Sequence, residues 1–420
     1  MSIVRAIRLG NTLSSGATDG AALEALMADT SRRGEFSDLM NLRGQARRLA
    51  DNAIPAAVIC NSATALPLLM DSRTGADEFA NSVMGSSILM TSRPAMRAAT
   101  MSANGFRRWL TQFPYSRRTV FAATTDLVQG VIYGNSLYVA VGGSASTGTI
   151  ATSTDGISWT ARTNPLSSAV SFSDVAYAFG LFIAIDTSGR IITSPDGTTW
   201  TQRTNPASPP AGSSLTTMPL VQAEGRIAFG CRNSSSLPCV AHSTDGINWS
   251  HTVVYSGETT SVMHSLAYTG VYWITSFAYG SSWNISLRYA STLSGSPTWN
   301  TSTLVNGSNS ATTLHFLSNK LYVANSSGNS PVLADANLNG AVSISSTWGM
   351  SYLYGAVSHQ GLLLFMNSSS TWVSADNGLT ARNAGIETGF SSYALSGKLR
   401  VLNNVLFIVS GNSNQIGCNY

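Results

Sequence analysis

The amino-acid sequence predicts a mainly β protein preceded by a smaller α-helical region. The first observation is compositional: residues 1–118 are rich in Ala, Met, Leu and Arg, whereas residues 119–420 are rich in Val, Thr, Tyr, Trp and Gly. The second is a shift in charge, because residues 1–118 hold 14 of the 24 basic and 9 of the 20 acidic residues. The third is that each part carries its own repeat. We therefore expect two modules with different partners.

Composition excludes several classes of protein. Apolar and aromatic residues are frequent enough to bury a core and the net charge is only +4, which excludes a disordered chain. No apolar run reaches the length of about 18 residues that a membrane helix needs, so we expect no membrane insertion. Residues 1–10 lack the apolar segment of a secretion signal. Four cysteines are too few for a disulfide scaffold.

A motif with the pattern Ser-x-Asp-Gly-x-x-Trp recurs in the second part of the chain. The tryptophans of its three clear copies are 41 and 49 residues apart. The Asp, Gly and Trp residues of these copies are Asp155, Gly156, Trp159, Asp196, Gly197, Trp200, Asp245, Gly246 and Trp249. Paired strand patterns, such as 131–134 and 137–141, stand between the motifs, so each unit predicts four short antiparallel strands and an Asp-Gly hairpin. Repeated units of this kind indicate a β-propeller.

Seven blades account best for the length of this region. Six units end near Trp159, Trp200, Trp249, Trp299, Trp348 and Arg382, and three more strands follow at 398–402, 405–409 and 415–420. A strand at 118–124 would supply the missing fourth partner and remove both exposed edges. This gives about 43 residues per blade. The sequence predicts a propeller over residues 116–420, with six or eight blades as the alternatives.

The motif resembles the Asp-box repeat of sialidase-like propellers, although it is one residue shorter between Asp and Trp. We expect a structural role, in which Asp accepts backbone N–H bonds, Gly takes a left-handed conformation and Trp packs between strands. The Phe/Tyr-Arg-Ile-Pro signature of sialidases is absent, and the acidic residues outside the motifs have no recognisable context. The resemblance therefore implies a fold, and we predict no catalytic residue, no metal site and no cofactor.

Residues 1–52 predict short helices. An amphipathic helix is expected at 19–32, and a second helix is expected from an N-cap at Ser37 to about Asn52. The outer face of the second helix would carry three arginines: Arg43, Arg47 and Arg48. Neighbouring aspartates dilute this patch and no aromatic residues interleave with it, so we assign it to protein docking rather than to nucleic-acid binding.

Serine recurs every ten residues in the region 53–115, at Ser62, Ser72, Ser82, Ser92 and Ser102. Ten residues fit about two helical turns and a corner at which serine acts as the cap. One such unit buries its apolar face only by packing against neighbouring units. The pattern resembles the Ser/Ala/Met decapeptide repeats of bacteriophage tail proteins, which implies attachment to the particle and oligomerisation. An irregular helical bundle is the alternative.

Exposed aromatic residues are the candidate ligand-binding positions of the propeller, because aromatic faces stack on sugars. The candidates are Tyr279, Trp283, Trp348, Tyr352 and Tyr354. The alternative is that these side chains belong to the core of the blades. Cys231 and Cys239 bracket a loop between two strands, so they could form a disulfide across a hairpin or remain two buried thiols.

Together these features predict a virion protein of a bacteriophage: a tail fibre, tail spike or baseplate component. Residues 1–115 would bind other virion proteins and form a homotrimer, as tail appendages commonly do. The propeller would adsorb without catalysis to a glycan or pilus of the host surface. The chain would be made in the host cytoplasm and end in the phage tail. The alternatives are a glycan-degrading propeller depolymerase and a purely structural head-decoration or collar protein.

Overall fold

A computed structural model describes most of the chain. The described residues are 9–13, 20–62, 64–82, 84, 88, 115–144, 147–166, 171–207, 219–257, 262–279, 284–302, 304, 312–325, 332–340, 342–343, 353, 355–359, 362–366, 371–374, 382–383, 398–403, 405–409 and 413–419. Helices occupy the first part of the chain and strands follow from Tyr115. Among the described residues, no helix has both the length and the apolar character that crossing a bilayer requires.

Short helices of similar length follow one another in the first part. They are α1 (Gly20–Met27), α2 (Thr30–Met40), α3 (Arg43–Ala50), α4 (Ala53–Asn61), α5 (Ala65–Asp71) and α6 (Arg73–Asn81). From α2 to α6 the buried apolar residues recur with a ten-residue period, as Phe36 and Leu39, Ala46 and Leu49, Ala56 and Ile59, Leu66 and Leu69, and Ala76 and Phe79. The repeat therefore begins well before the first of the periodic serines.

Each helix packs against the third helix after it. Helix α1 contacts α4, α2 contacts α5 and α3 contacts α6. Helix α6 also approaches α2, since a Cβ atom on Gly75 would lie 2.9 Å from the Cβ of Met40. One core joins all six helices and extends from Leu9 to Phe79. The units therefore form a helical coil of three helices per turn, in which neighbouring turns bury each other's apolar stripes.

The periodic serines form the corners of this coil. Ser62 ends α4, and its Oγ accepts a hydrogen bond from the backbone N–H of Ala65 at 2.8 Å. Ser72 ends α5 and is the N-cap of α6, where its Oγ accepts from the N–H of Gly75 at 3.0 Å. Ser82 ends α6. A serine oxygen can satisfy a free N–H at a helix start, which explains the ten-residue spacing. Ser92 and Ser102 lie outside the described residues.

The helix expected from Ser37 to Asn52 is wrong, because this segment contains two helices. Ser37 lies inside α2, whose N-cap is Asp29, with its side chain accepting from the N–H of Ser31. Asn41 ends α2, and Leu42 has an extended backbone before α3 begins. The helix expected at 19–32 is likewise divided between α1 and the start of α2. The ten-residue repeat ends each helix after about two turns, although the apolar spacing in the sequence would also fit longer helices.

Replacing Ser72 by alanine should lower the free energy of unfolding of the helical part by about 1–2 kcal/mol. The substitution removes the cap of α6 and also the hydrogen bond that Ser72 Oγ donates to Asn41 Oδ1 in the preceding turn, at 2.9 Å. Thermal unfolding followed by circular dichroism at 222 nm measures the effect. Thr30→Ala is the control, because Thr30 is an exposed residue at the start of α2. Equal losses in both variants would contradict the role of Ser72 as a corner.

Gly44→Ala should instead stabilise the helical part by about 0.5–1 kcal/mol. Gly44 lies in α3, and no atom lies within 4 Å of the position that its Cβ would occupy. Alanine reduces the freedom of the unfolded chain and fits the helix without strain. The same unfolding measurement tests this expectation, and a loss of stability would show that the face of α3 near Gly44 is packed.

The second part forms seven antiparallel sheets of four strands, which we call blades 1 to 7. Blade 1 is β2 (Leu127–Gly134), β3 (Leu137–Ser144), β4 (Thr147–Ser153) and β5 (Thr160–Arg162). Blade 2 is β6 (Phe172–Ala178), β7 (Leu181–Asp186), β8 (Ile191–Ser194) and β9 (Thr201–Arg203). Blade 3 is β10 (Val221–Ala223), β11 (Arg226–Arg232), β12 (Pro238–Ser243) and β13 (Trp249–Val253). Blade 4 is β14 (Val262–Tyr268), β15 (Trp273–Tyr279), β16 (Asn284–Ala290) and β17 (Asn300–Ser302).

The remaining blades follow the same order, apart from the last. Blade 5 is β18 (Thr312–Leu317), β19 (Lys320–Asn325), β20 (Val332–Asp335) and β21 (Val342–Ser343). Blade 6 is β22 (Gly355–His359), β23 (Leu362–Met366), β24 (Thr371–Ser374) and β25 (Arg382–Asn383). Blade 7 is β26 (Lys398–Leu402), β27 (Val405–Val409), β28 (Gln415–Asn419) and, from the other end of the sequence, β1 (Tyr115–Thr119). The predicted fold class, a seven-bladed β-propeller preceded in the sequence by a smaller α-helical region, is confirmed.

The strand that completes blade 7 lies earlier than the predicted 118–124. It is β1, which pairs antiparallel with β28 from Tyr115↔Asn419 to Thr119↔Gln415. Val120 and Phe121 follow it and are buried in a core cluster instead of continuing the strand. The prediction favoured the apolar segment, but β1 is the last strand of its sheet and tolerates polar residues such as the exposed Arg117.

The core of the propeller lies between neighbouring blades. One cluster, for example, joins Ile183 of blade 2, Phe229 of blade 3 and Trp273 of blade 4, and all three are fully buried. Strands buried on both faces explain the near-continuous apolar runs of β7 and β11.

Candidate binding site at the centre of the propeller

The Ser-x-Asp-Gly-x-x-Trp motifs form closed hairpins between the third and fourth strands of blades 1 to 3. In the first hairpin, Asp155 Oδ1 accepts from Ser153 Oγ and from the backbone N–H groups of Ile157 and Ser158, each at 2.8 Å. Gly156 has a φ of 72° and donates its N–H to Ser153 Oγ. Trp159 Nε1 donates to the carbonyl oxygen of Gly156 at 3.2 Å. The side chains of Ser153, Asp155 and Trp159 therefore all bond within their own turn.

The other two motifs repeat this geometry. Asp196 accepts from the N–H groups of Thr198 and Thr199, and Asp245 accepts from those of Ile247 and Asn248. The N–H bond from Asn248 is the largest cause of the lowering of the Asp245 pKa to about 2, and the Ser158 N–H does the same for Asp155. The remaining glycines and tryptophans occupy matching places: Gly197, Trp200, Gly246 and Trp249.

The aromatic residues proposed as ligand contacts fall largely outside the described residues. Trp283, Trp348, Tyr352 and Tyr354 lie there. The backbone of Tyr279 ends β15, opposite Asn284.

Cys231 and Cys239 lie directly opposite each other on β11 and β12. Their Sγ atoms are 2.8 Å apart, and both are buried free thiols. Burial, followed by the neighbouring Cys231, raises the pKa of Cys239 well above its usual value.

The arginines proposed for docking have partners within the helical part. Arg43 Nε donates to Glu78 Oε1 at 2.6 Å, and Arg47 pairs with Asp51 at 2.9 Å. Arg48 donates to Asn11 and Gln45. Arg43 nevertheless remains largely exposed, with 83% of its side chain accessible.

A charged cluster that the sequence did not predict joins the first strands of three blades. Asp174 of β6 is fully buried. Its Oδ2 accepts from the backbone N–H of Leu220, just before β10, and from Arg400 Nη2 of β26, both at 3.0 Å. Its Oδ1 lies 3.0 Å from Lys398 Nζ, also of β26. One carboxylate therefore ties blade 7 to blades 2 and 3.

Two β-bulges supply carbonyl oxygens that bind the ammonium group of Lys398. The register of the first strands shifts at Gln129 in blade 1 and at Ser173 in blade 2. The carbonyl oxygens of these two residues accept from Lys398 Nζ at 2.8 and 2.6 Å. With Asp174 they occupy all three donors of the ammonium group. A bulge leaves a residue out of the sheet ladder, which is why these carbonyls are free to receive a side chain.

Burial and charge act in opposite directions on this cluster. Burial raises the pKa of Asp174, but the Lys398 and Arg400 cations outweigh burial, so the pKa lies below its ordinary value. Burial is also the largest cause of the lowering of the Lys398 pKa, and Asp174 counteracts it. Asp174 thus holds no proton that it could give as a general acid near neutral pH.

A cavity of about 320 Å³ opens beside this cluster. It is lined by the first strands of blades 3 to 7 and the residues next to them: 219–222, 265–268, 313–317, 355–356 and 398–400. Much of the wall is apolar, and its basic side chains are Lys398, Arg400 and His315. The size falls at the lower end of the range for small-molecule sites, about 300–1,000 Å³.

His315 is a neutral imidazole in this wall. Burial, followed by the charge of Arg400, lowers its pKa to about 4. Its Nε2 atom is buried and has no hydrogen-bond partner among the described residues. No group of three or more His, Cys, Asp or Glu side chains within the described ranges is arranged to hold a metal ion.

Comparison with solved structures identifies the fold and nothing narrower. YCF48 from Cyanidioschyzon merolae shares 12% identity with this chain at a TM-score of 0.50, over 73% of this chain and 98% of its own. A structure of YCF48 bound to a D1 peptide gives 13% identity and a TM-score of 0.51, over 73% and 96%. The WD40 propeller domain of Doa1 gives 11% and 0.50, over 73% and 97%. No protein family and no curated protein matches the sequence.

The chain thus belongs structurally to the β-propellers, with a polar cluster and a cavity where the first strands of its blades meet. Sequence reasoning missed the cluster of Asp174, Lys398 and Arg400. The sequence did hold one signal of a charged site. Lys398 is one of only two lysines in the chain, and it lies two positions from Arg400, so both are on the same face of an otherwise apolar strand.

Proposed function

We propose that this chain is a non-catalytic binding protein of a bacteriophage virion, a component of a tail fibre, tail spike or baseplate. In this proposal the helical part attaches to other virion proteins and the propeller adsorbs to a glycan or pilus of the host surface. The observation that carries it is the ten-residue helical repeat, with Ser62 and Ser72 at its corners, in the same chain as a propeller. The repeat resembles those of phage tail proteins.

The geometry of the propeller supports binding rather than turnover. Asp174 is ionised and bonded to two cations and a backbone N–H. The carboxylates of the hairpin motifs accept bonds within their own turns, as at Asp155. Glycoside hydrolysis requires one carboxyl group that donates a proton and a second that acts as base or nucleophile. The cavity has the concave shape and mixed lining of a small-ligand site.

Immunogold labelling of intact particles tests the location, with antibodies raised against the full chain. Gold on the tail or baseplate is the expected result. Gold on the head would overturn the tail assignment in favour of a decoration protein, and unlabelled particles would overturn the virion assignment. Preincubating host cells with the full chain should reduce phage adsorption, and unchanged adsorption would contradict host binding. Release of oligosaccharides from host polysaccharide by the purified chain would overturn the non-catalytic part.

The proposal includes a homotrimer formed through the helical part. Light scattering on the full chain should give a mass of three times 44.2 kDa. A monomer in solution would overturn this part of the proposal and leave the location in the particle to the labelling experiment.

A further inference from the structure

We infer that the central cavity binds the anionic group of an acidic sugar, a carboxylate or a phosphate, with the guanidinium of Arg400 as its main anchor. This inference deepens the proposed function and rests on it for the choice of a sugar. The positive charge of the cavity wall and the exposed part of the Arg400 side chain carry the choice of an anion.

The described lining of the cavity holds two cations and no carboxylate. The cations are Lys398 and Arg400, whereas Asp174, their shared partner, is fully buried and is not part of the wall. One negative charge therefore faces two positive charges, and the surplus lies on the side of the cavity. Because low-dielectric walls strengthen such a charge, the cavity favours an anion over a neutral molecule.

The two cations differ in how far their hydrogen-bond donors are available to a ligand. Lys398 is 11% exposed and its three donors are all used, so its role is to hold blade 7 against blades 1 and 2. Arg400 is 29% exposed. Its Nη2 donates to Asp174 and its Nε is buried, so a ligand would reach the remaining, exposed part of the guanidinium side chain. A guanidinium with unused donors matches the oxygens of a carboxylate or a phosphate.

The rest of the wall suits a sugar that Arg400 anchors. His315 lines the cavity as a neutral imidazole, but its Nε2 atom is buried, so we assign it no contact with the anionic group. Arg400 would hold the anionic group, and apolar wall residues such as Leu266 and Phe316 would pack against the sugar ring.

The wall also limits the size of the ligand. A cavity of about 320 Å³ accepts one sugar unit rather than several. Two of the lining strands are tied together, because the N–H of Leu314 in blade 5 donates to Ser265 Oγ in blade 4 at 3.1 Å. The size of the cavity favours binding of a single charged sugar.

Calorimetric titration of the full chain with three matched sugars tests the inference. The probes are galactose, galacturonate and galactose 6-phosphate, which share one ring and differ in charge at C6. We expect galacturonate, galactose 6-phosphate or both to bind at least tenfold more tightly than galactose. Equal affinity for galactose, or no binding of either charged sugar, would overturn the inference. The comparison of the two charged probes distinguishes a carboxylate from a phosphate source.

Arg400→Gln should weaken the binding of the charged sugar at least tenfold. Arg203→Gln is the matched control. Arg203 lies on the last strand of blade 2, away from the first strand in the sheet order, and donates to Thr193 Oγ1 of the third strand. If Arg400→Gln fails to fold, Arg400→Lys serves as the second variant: it keeps a positive charge beside Asp174 but loses the planar fork of donors, with at least a threefold loss expected. Unchanged affinity in a folded variant of Arg400 would overturn the role of this residue.

The outcomes separate this inference from the proposed function. If neither charged sugar binds the wild-type chain more tightly than galactose, but the chain still reduces phage adsorption, the cavity inference fails while host binding stands. If the charged sugar binds through Arg400 but the chain is absent from virions, the cavity inference stands and the proposed function fails.

Discussion

Asp174→Ala is expected to destabilise the propeller by about 3–5 kcal/mol. The carboxylate is fully buried and holds Lys398 and Arg400 of the last blade together with the N–H of Leu220. Alanine would leave two largely buried cations beside each other without a counter-charge, and it would leave a buried N–H without its acceptor. Urea unfolding followed by the fluorescence of the propeller tryptophans measures this loss.

Asp335→Ala is the control for this substitution. Asp335 accepts N–H bonds from Asn337 and Asn339 in a turn of blade 5, and its partners carry no charge. Its loss should cost about 1 kcal/mol. Similar effects in the two variants would show that the charged cluster contributes no more than an ordinary turn. Lys398→Met combined with Asp174→Leu should cost less than the sum of the two single changes, because the pair is then removed together.

The contribution of Asp174 should also depend on pH. Its pKa is lower in the folded protein than in the unfolded chain, where it is about 3.9. The stabilisation is therefore fully present above about pH 4 and is lost as the pH falls through the folded-state pKa. The difference in unfolding free energy between wild type and Asp174→Ala should be constant from pH 5 to pH 7 and shrink in more acidic solution. A difference that grows toward acid would contradict the ion pairing.

Gly142→Ala is expected to cost at least about 3 kcal/mol, the upper end for overpacking of a core. Gly142 lies in β3, opposite Val128 and beside the bulge of blade 1. A Cβ atom there would lie 1.9 Å from the carbonyl oxygen of Leu127. The obstacle is backbone, so no side-chain rotation relieves the contact, and the strand itself must move.

Thermal unfolding by near-ultraviolet circular dichroism tests this expectation. Gly44→Ala adds the same methyl group at an open site and should raise rather than lower stability. A Gly142→Ala variant that unfolds within two degrees of wild type would show that β2 and β3 separate more easily at the bulge than the contact implies.

Local patterns in the sequence carried a large part of the fold. The hairpin motif needs only the residues from Ser153 to Trp159, because its hydrogen bonds all close within seven positions. The serine corners are equally local, since Ser72 and Gly75 are three residues apart. Such patterns can be read without knowing what packs around them, and counting them gave the number of blades.

The candidate site was far less accessible to sequence reasoning. Asp174 and Lys398 are separated by more than two hundred positions, and neither belongs to a motif. Their meeting depends on two bulges, at Gln129 and Ser173, and a bulge has no strong sequence signature. Lys398 and Arg400, two positions apart, indicated a charged face of one strand, but they could not indicate that Asp174 of another blade supplies their counter-charge.

The sequence by itself determined that residues from about 115 onward repeat a four-stranded unit and that a ten-residue helical unit precedes them. The reason is that turns, caps and apolar spacing are decided over a few residues. Only the tertiary structure decided that each helix packs on the third after it, that the closing strand is Tyr115–Thr119, and that Asp174, Lys398 and Arg400 meet beside a cavity. These features follow from the summed twist and stagger of many elements, which no short segment encodes.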